Sequence, residues 1–429
     1  MRVLVIGGYG LIGGYVMARL HRQGCALVGA GREVGPAARR MPYASWTRLD
    51  LRDMDEPAAW APLLGGVDAV VNCAGALQES PRDDLAAAHL TAIRALYQAC
   101  AGAGVRRVVH VSALGIGGEA TPFAKTKRAA EAALAGLDLD WLILRPGLVL
   151  APAAYGGSAL LRALAGFPAL IPAIHADQVV QVVSADDVAE AVARALAASA
   201  ASRQTIELAA SERTTLGEIL VALRVWLGLP PARIVALPLP LVRLGAFLAD
   251  AIAPLGWRSP MRSTTLAQLA AGIEAGACRG DLLGRTPEPL QAMLARWPSG
   301  VQERWFARAY FLKPLGLVTL IGFWLASGVL GMTIGSAGAV ARLSPPLAPA
   351  LAHAAVVAGA AVDIALAFAC AFRRTAPWAL KGMVAVSAAY LVAATLVRPG
   401  LWADPLGPLV KAIPAAVLAL VMLAVMDER

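Results

Sequence analysis

The stretch MRVLVIGGYGLIGG, residues 1–14, limits this chain more than any other. A short apolar run over residues 3–6 stops abruptly at glycine. Gly7, Gly10 and Gly13 then fall at intervals of three, and a helical pattern opens at Leu11. The order is strand, glycine turn, helix. Each glycine answers a separate demand. The first permits a tight turn, the second lets a pyrophosphate approach the backbone, and the third lets the helix pack close to its strand. The start of the helix then offers unbonded N–H groups and a partial positive charge to phosphate. A bare glycine triplet occurs in many settings, but a strand before it and a helix after it supply the context of a dinucleotide cradle. Tyr9, Leu11 and Ile12, between the glycines, join Gly7, Gly10 and Gly13 as its candidate contacts.

The chain that follows reads as alternating strands and helices. Residues 26–30 form the second strand candidate, followed by Gly31-Arg32. An acidic residue at this point would hold the ribose hydroxyls of NAD, whereas the Arg32 guanidinium suits a 2′-phosphate. NADP is therefore expected, with NAD as the alternative because Glu33 is adjacent. Residues 46–51 read as a third strand ending in Asp50-Leu51, where Asp50 is either an acceptor for the adenine amino group or a turn residue. Residues 67–72 are apolar and lead into Cys73-Ala74-Gly75, a small-residue loop against which a cofactor can lie. Residues 85–103 read as a helix. Residues 105–112 read as a strand whose carboxyl edge, where open α/β sheets place ligands, carries Ser112. Residues 141–144 form a sixth strand, followed by Arg145-Pro146-Gly147. In the loop 151–157, Tyr155 is the reactive side chain, either in a substrate pocket or on the surface. A helix within 179–195 takes Ser184 or Asp186 as its cap, and residues 204–209 read as a further strand.

The succession GGYGLIGG, GR, LDL, NCAG, VVHVSA resembles the short-chain dehydrogenase/reductase superfamily in its extended or atypical, epimerase/dehydratase-like branch. The resemblance implies a Rossmann-type, doubly wound parallel sheet and an NAD(P) cofactor. It also implies a Tyr-x-x-x-Lys pair on a helix after the serine, four residues apart and so on one helix face. Here the sequence TPFAKTKRAAE puts Phe123 and Lys127 at those positions. By resemblance, Lys127 holds the nicotinamide ribose, Ser112 orients a carbonyl or water, and the segment with Pro146 and Gly147 passes the nicotinamide. Phenylalanine has no proton to give, so the family's acid/base step cannot run through position 123. Either another group supplies the proton, with Ser112, Thr121, Tyr155 and water as the candidates, or the domain holds its cofactor without turnover. A register using Lys125 leaves Thr121 as the partner and fits the motif worse. The layout is similar to atypical members related to the complex I accessory subunit, which hold a nucleotide beside a membrane.

Composition enters at the far end of the chain. The 429 residues are 58% hydrophobic and 16% charged, well below the usual quarter charged, and the apolar excess rises after about Pro314. Before that, residues 214–227 read as an amphipathic helix and 230–240 as a proline-punctuated connection. Residues 241–252 form an apolar stretch too short and interrupted to span a bilayer, suited to a membrane interface or a pocket roof. Residues 264–284 read as a helix pair. Then come four apolar stretches, 314–334, 351–372, 378–397 and 406–426, each near the roughly 20 residues that cross hydrocarbon. Asp363, Lys381 and Lys411 lie within them, and Asp363 with Lys381 or Lys411 is a candidate interhelical pair. The segment 402–411 and the four-helix layout resemble the DoxX-like membrane family.

These readings give three parts. Residues 1–210 are the NAD(P)-binding domain, 211–300 a small helical substrate subdomain, and 301–429 an all-α bundle of four spans. Basic residues cluster on one side of the spans (Arg304, Arg308, Lys313, Arg373, Arg374, Arg429) against Arg342 and Arg398 on the other. Both termini and the cofactor domain are thus expected on the cytoplasmic face of the inner membrane. The chain runs straight into a strand, so no signal peptide is expected. The net charge of +9 is scattered without a basic–aromatic block, which argues against nucleic acid. The five cysteines and five histidines show no metal-ligand spacing, so no metal is expected. The expected partners are a lipophilic small molecule, a membrane and, in the non-catalytic reading, a membrane protein.

Overall fold

A computed structural model describes all residues except 76–83, 118–120, 198–199, 258, 271, 277–281, 345–346, 406 and 427–429. The chain forms two compact units. One comprises Met1–Ala251 and Ser259–Ala307, the other Ile252–Arg258 and Arg308–Arg429.

The first unit is built on a seven-stranded sheet. Its strands are β1 (Arg2–Ile6), β2 (Ala26–Gly31), β3 (Ser45–Arg48), β4 (Ala69–Asn72), β5 (Arg107–Val111), β6 (Asp140–Pro146) and, after three short strands, β10 (Gln204–Leu208). The spatial order is β10-β6-β5-β4-β1-β2-β3, with every neighbouring pair parallel. Both faces of β1 are covered, which is why it reads as an unbroken apolar run rather than an alternation. Val3 and Val5 pack on one side with α1 (Leu11–Arg22) and α7 (Ala185–Ala195). Leu4 and Ile6 pack on the other with α3 (Pro57–Leu64), α4 (Ala92–Ala103) and α5 (Pro122–Ala135). Between β2 and β3 runs the short α2 (Val34–Arg40).

Helix starts follow their caps. Thr121 accepts from the Ala124 N–H at 3.2 Å and Ser184 from the Asp187 N–H at 2.9 Å. Of the two caps considered for the 179–195 segment, Ser184 is the one used. It follows β9 (Val182–Ser184), which pairs with β7 (Leu148–Leu150). The helix expected over 85–103 opens with a π-helical turn, Ala87–Thr91, before α4 begins.

A second, smaller core draws on both sides of residue 210. Leu161 and Ala165 of α6 (Gly157–Ala165) and Ile171 of β8 (Leu170–Ala173) meet Ile219 and Leu223 of α8 (Leu216–Trp226) and Met293 of α11 (Leu290–Arg296). Thr215 and Glu218 cap α8 reciprocally. Two expectations change here. The proline-punctuated 230–240 segment contains a strand, β11 (Arg233–Ala236), because the prolines flank it and leave its N–H groups free to pair with β8. Among the described residues of 264–284 there is one α-helix, α10 (Ser263–Ala270), which follows α9 (Leu239–Ala251), and Ile273 then bridges Val180 in strand fashion. Residues 277–281 of that segment lie outside the described residues.

The second unit is helical. Three helices are long and apolar enough to cross a membrane: α12 (Val301–Met332), α14 (Pro349–Ala371) and α15 (Ala376–Val397). The first begins before Pro314, which lies inside it. A short helix, α13 (Ser336–Leu343), separates α12 from α14. The fourth apolar stretch forms α16 (Pro408–Ala424), whose 17 residues rise about 26 Å at ~1.5 Å each, short of the roughly 30 Å hydrocarbon layer. Small residues bring the helices close. A Cβ on Gly328 would lie 2.6 Å from the Ala360 carbonyl oxygen.

The expected pairing of Asp363 with a lysine is corrected. Ser327 donates to Asp363 Oδ2 at 2.7 Å and the Tyr390 hydroxyl to Oδ1 at 3.0 Å, so the carboxylate ties α12, α14 and α15 together. Lys381 is exposed instead and sits over the Trp378 ring at 4.6 Å, and Lys411 is exposed. Two neutral hydroxyls satisfy the carboxylate without bringing a lysine to the same depth. Replacing Asp363→Ala should cost about 1–2 kcal/mol of bundle stability, with Asp363→Asn costing less. Thermal melts of the full chain in detergent measure this.

Candidate functional site

The strand order reverses between β1 and β4, and the glycine turn leaves β1 at that reversal, where open α/β sheets hold ligands. Gly7 takes φ +73°, and a Cβ there would meet the backbone of Cys73 and Ala74 at 3.0 Å. A Cβ on Gly13 would fall onto the Gly7 carbonyl oxygen and 2.8 Å from Gly8 Cα, so only glycine lets α1 seat against the turn. Gly10 N–H donates to Gly7 O at 2.9 Å. Gly10 is also the N-cap of α1, and no side chain bonds to the helix start and no acid lies in its first turn. The N–H groups of Leu11, Ile12 and Gly13 thus begin a helix in the manner of an anion site.

At the end of β2, a Cβ on Gly31 would lie 2.9 Å from Tyr9 Cζ, so the Tyr9 ring occupies the space that a side chain at 31 would take. The Arg32 N–H donates to the Tyr9 hydroxyl at 3.1 Å. Arg48 at the end of β3 stands in register with Gly31, adding a second cation that sequence reading missed. Asp50 is engaged locally, as the turn reading held. It accepts from the Arg52 N–H at 3.1 Å and pairs with the Arg52 guanidinium at 2.6 Å, which holds its carboxyl below the usual range. Leu51 opens the short 3-10 turn that Asp50 caps.

The other half of the site gathers at the ends of β4 and β5. Lys127, only 4% exposed, donates from Nζ to Val111 O at 3.1 Å and Ala74 O at 3.5 Å. Ser112 follows β5, its N–H donating to Leu144 O at 2.7 Å. Its buried hydroxyl has no hydrogen-bond partner among the described residues. A buried hydroxyl is costly to leave unbonded, and a ligand oxygen would satisfy it. Asn72 accepts from the Ala74 N–H at 3.0 Å and so shapes the Cys73–Ala74–Gly75 loop. Burial pushes the Cys73 thiol up to about 12, away from the thiolate.

Phe123 lies one helical turn before Lys127. Its ring meets His89 edge-on, with centroids 5.6 Å apart. The buried His89 is the main residue that sequence reading missed. Its Nδ1 lies 3.0 Å from the Thr126 hydroxyl, and its Nε2 lies 3.5 Å from the point a Cβ on Gly75 would occupy. Lys127 Nζ lies the same 3.5 Å from that point. No spacing rule links a histidine on the π-turn to a helix 34 residues away, so only folding reveals the cluster. Burial, reinforced by the Lys127 charge, holds the His89 imidazole well below its ordinary range, so it is neutral at pH 7.

Other candidates stand elsewhere. Arg145 pairs with the buried Glu131, with Nε donating at 3.0 Å, and so braces β6 against α5. Gly147 is crossed closely by the Gln181 carbonyl, and the Pro146 carbonyl accepts from Leu114 N–H at 2.9 Å. The Tyr155 backbone is pinned through Ser158, whose hydroxyl donates to Tyr155 O at 2.9 Å. The Thr121 hydroxyl donates to Gln268 Oε1 at 2.9 Å.

Lys127 yields a pH signature. Burial lowers its pKa from 10.5 to about 8. Below pH 8 the amine is protonated in both folded and unfolded chains, and its desolvation cost is constant. Between about 8 and 10.5 the unfolded chain still binds the proton and the folded one does not, so stability rises with pH. Relative to Lys127→Met, the native chain should gain about 3 kcal/mol across that window. Paired denaturant titrations measure it, and a flat difference would place Lys127 in water.

Comparison with known proteins agrees with this fold. Residues 7–199 match the NAD(P)H-binding family and residues 321–420 the DoxX-like family. Among solved structures, Citrobacter sp. triphenylmethane reductase is 19% identical with a TM-score of 0.54, covering 69% of this chain and 99% of that one. The Bordetella bronchiseptica enzyme WbmH, solved with NAD+, is 18% identical with a TM-score of 0.53, covering 72% and 98%. MoeE5, solved with UDP-glucose and NAD, is 21% identical with a TM-score of 0.52, covering 72% and 100%. At these identities the likeness is one of fold. No curated protein matches the sequence. The chain therefore joins an NAD(P)-binding Rossmann domain, with epimerase- and reductase-like structural neighbours, to a carboxyl-terminal DoxX-like domain.

Proposed function

We propose that this protein is a membrane-anchored, NAD(P)-dependent oxidoreductase of the short-chain type acting on a lipophilic substrate, quinone-like or lipid. The observation that carries the reading is the unbonded, buried Ser112 hydroxyl beside a buried Lys127 at the carboxyl edge of the sheet. Gly7, Gly10 and Gly13 would hold the pyrophosphate, with the Cys73–Ala74–Gly75 loop and Pro146–Gly147 along the cofactor. Arg32, with Arg48 in register opposite the preceding Gly31, favours NADP over NAD. The bound dinucleotide supplies or takes a hydride at its nicotinamide.

The chain's own residues then manage the oxygen and its proton. Ser112 donates to the substrate oxygen, and Lys127 bonds the ribose and raises the local potential. His89 is fixed by the contact of its Nδ1 with the Thr126 hydroxyl at 3.0 Å and by the edge of the Phe123 ring, which puts the imidazole beside Lys127 at this end of the site. In this reading the His89 imidazole would take the substrate hydroxyl proton in alcohol oxidation and return it in reduction. Ser112, Thr121, Tyr155 and water remain the other candidate sources.

Division of the chain at about residues 210 and 300, four spans of which the 17-residue α16 is the shortest and would need flanking residues to complete its crossing, an inner-membrane location and a cytoplasmic cofactor domain complete the reading. The excess of Lys and Arg on one side of the apolar stretches supports it. The missing hydroxyl at Phe123 favours a second reading, in which NADP(H) is a structural or redox-sensing ligand and the bundle engages a membrane partner. The test is full-length protein in proteoliposomes with NADPH or NADH and a panel of quinones, lipid aldehydes and ketones. Cofactor oxidation dependent on Ser112 and His89 supports the enzyme. Tight cofactor binding with no turnover across the panel supports the second reading.

A further inference from the structure

We infer that α9 lies in the lipid–water interface as an amphipathic helix, with its outward face in the boundary between headgroups and acyl chains. The helix inverts the usual pattern of a packed surface helix. Its inward residues are small, Ala246 and Ala249, both buried. Its large residues point outward: Leu241 is 64% exposed, Leu244 54%, Phe247 67% and Leu248 54%. Leu241, Leu244 and Leu248 follow at helical spacing and make one stripe. A soluble surface rarely leaves such a contiguous stripe bare. The polar groups lie off it. Arg243 is exposed, suited to anionic headgroups, and Asp250 is turned away, bonded by Arg262 Nε and the Ser263 hydroxyl at 2.6 Å each.

Chain continuity selects lipid over other occupants. The residue after α9 begins Ile252–Arg258, which belongs to the helical membrane unit. That segment is clipped to the turn between α14 and α15. The Trp257 indole donates to Ala371 O at 2.7 Å, and the Arg373 N–H donates to Leu255 O at 2.9 Å. Arg373 also lies over the Trp257 ring at 5.7 Å. A tryptophan with arginines at the ends of two apolar helices marks the headgroup level. The peptide bond from Ala251 to Ile252 therefore delivers the end of α9 to that level. The helix is too short to span and has the makeup of one that lies flat.

This inference rests on the membrane reading, and the experiment separates the two. Full-length protein is placed in phosphatidylcholine–phosphatidylglycerol vesicles carrying a diazirine on the lipid acyl chain near the headgroup, then irradiated and mapped by peptide mass. Lipid adducts on the peptide bearing residues 239–252, alongside adducts on α14 and α15, are expected. The Leu244→Glu/Phe247→Glu variant should lose at least tenfold of the α9 adducts while keeping those on α14 and α15. Adducts on α14 and α15 with none on 239–252 overturn the inference and leave the membrane reading intact. No adducts on α14 and α15 overturn both. A benzophenone residue in place of Leu244 gives the independent check without added charge. Crosslinking to lipid supports the inference, and crosslinking to a second copy replaces lipid with a protein interface.

Discussion

Phe123→Tyr should raise turnover by about a hundredfold on any substrate the native chain accepts, at unchanged dinucleotide affinity. A positioned acid or base contributes roughly 10²- to 10⁴-fold, and the lower figure applies where a substitute such as His89 already serves. Position 123 lies one turn before Lys127 on α5, where the resemblance puts the tyrosine, and its ring is only part-buried against His89. The buried Lys127 charge beside it would lower the new phenol's pKa toward the working range. Steady-state rates for the native chain, Phe123→Tyr, His89→Gln and the double variant decide the matter. If His89 carries the proton, His89→Gln loses turnover in the native background and loses much less once Tyr is present. If Phe123→Tyr gains nothing, the binding-only reading is the better one.

Gly13→Ala should destabilise the first unit by roughly 3 kcal/mol or more and abolish dinucleotide binding. The added methyl would sit on the Gly7 carbonyl oxygen and 2.8 Å from Gly8 Cα. Both are backbone atoms of the turn, so no side chain can rotate away. The start of α1 must move off the turn, at a cost at or beyond the usual overpacking penalty of about 1–3 kcal/mol. That shift also disperses the N–H groups aimed at the pyrophosphate. Gly14→Ala is the control one residue on in the same helix. Nothing lies within 4 Å of its Cβ, and alanine is favoured over glycine in a helix by about 0.5–1 kcal/mol. Thermal melts should move in opposite directions for the two variants, and calorimetric titration with NADPH should give heat for Gly14→Ala alone.

The parts legible in the sequence were those whose physics is local. The glycine turn could be placed because a positive φ and a close backbone approach admit one residue type. The parallel strands could be placed because burial on both faces leaves an unbroken apolar run. The three helices long and apolar enough to cross a membrane could be placed because an apolar stretch of that length has few soluble uses. Errors arose where a residue's partner is distant. Asp363 was matched to lysines by charge, yet its neighbours across the bundle are two hydroxyls. Residues 230–240 were read as a connection, because the prolines on either side outweighed a four-residue Arg-Ile-Val-Ala run that is a strand only with β8 beside it.

The sequence by itself determined the cradle, the sheet and the loss of the hydroxyl at position 123, since each follows from residue type and short-range spacing. Only the tertiary structure decided what stands near that gap. Packing of the π-turn against α5 brings the His89 imidazole to Phe123 and its Nε2 to the face of Gly75 shared with Lys127. Burial of these groups together sets their protonation. Neither effect exists along the chain, because both arise from exclusion of water by segments far apart in sequence.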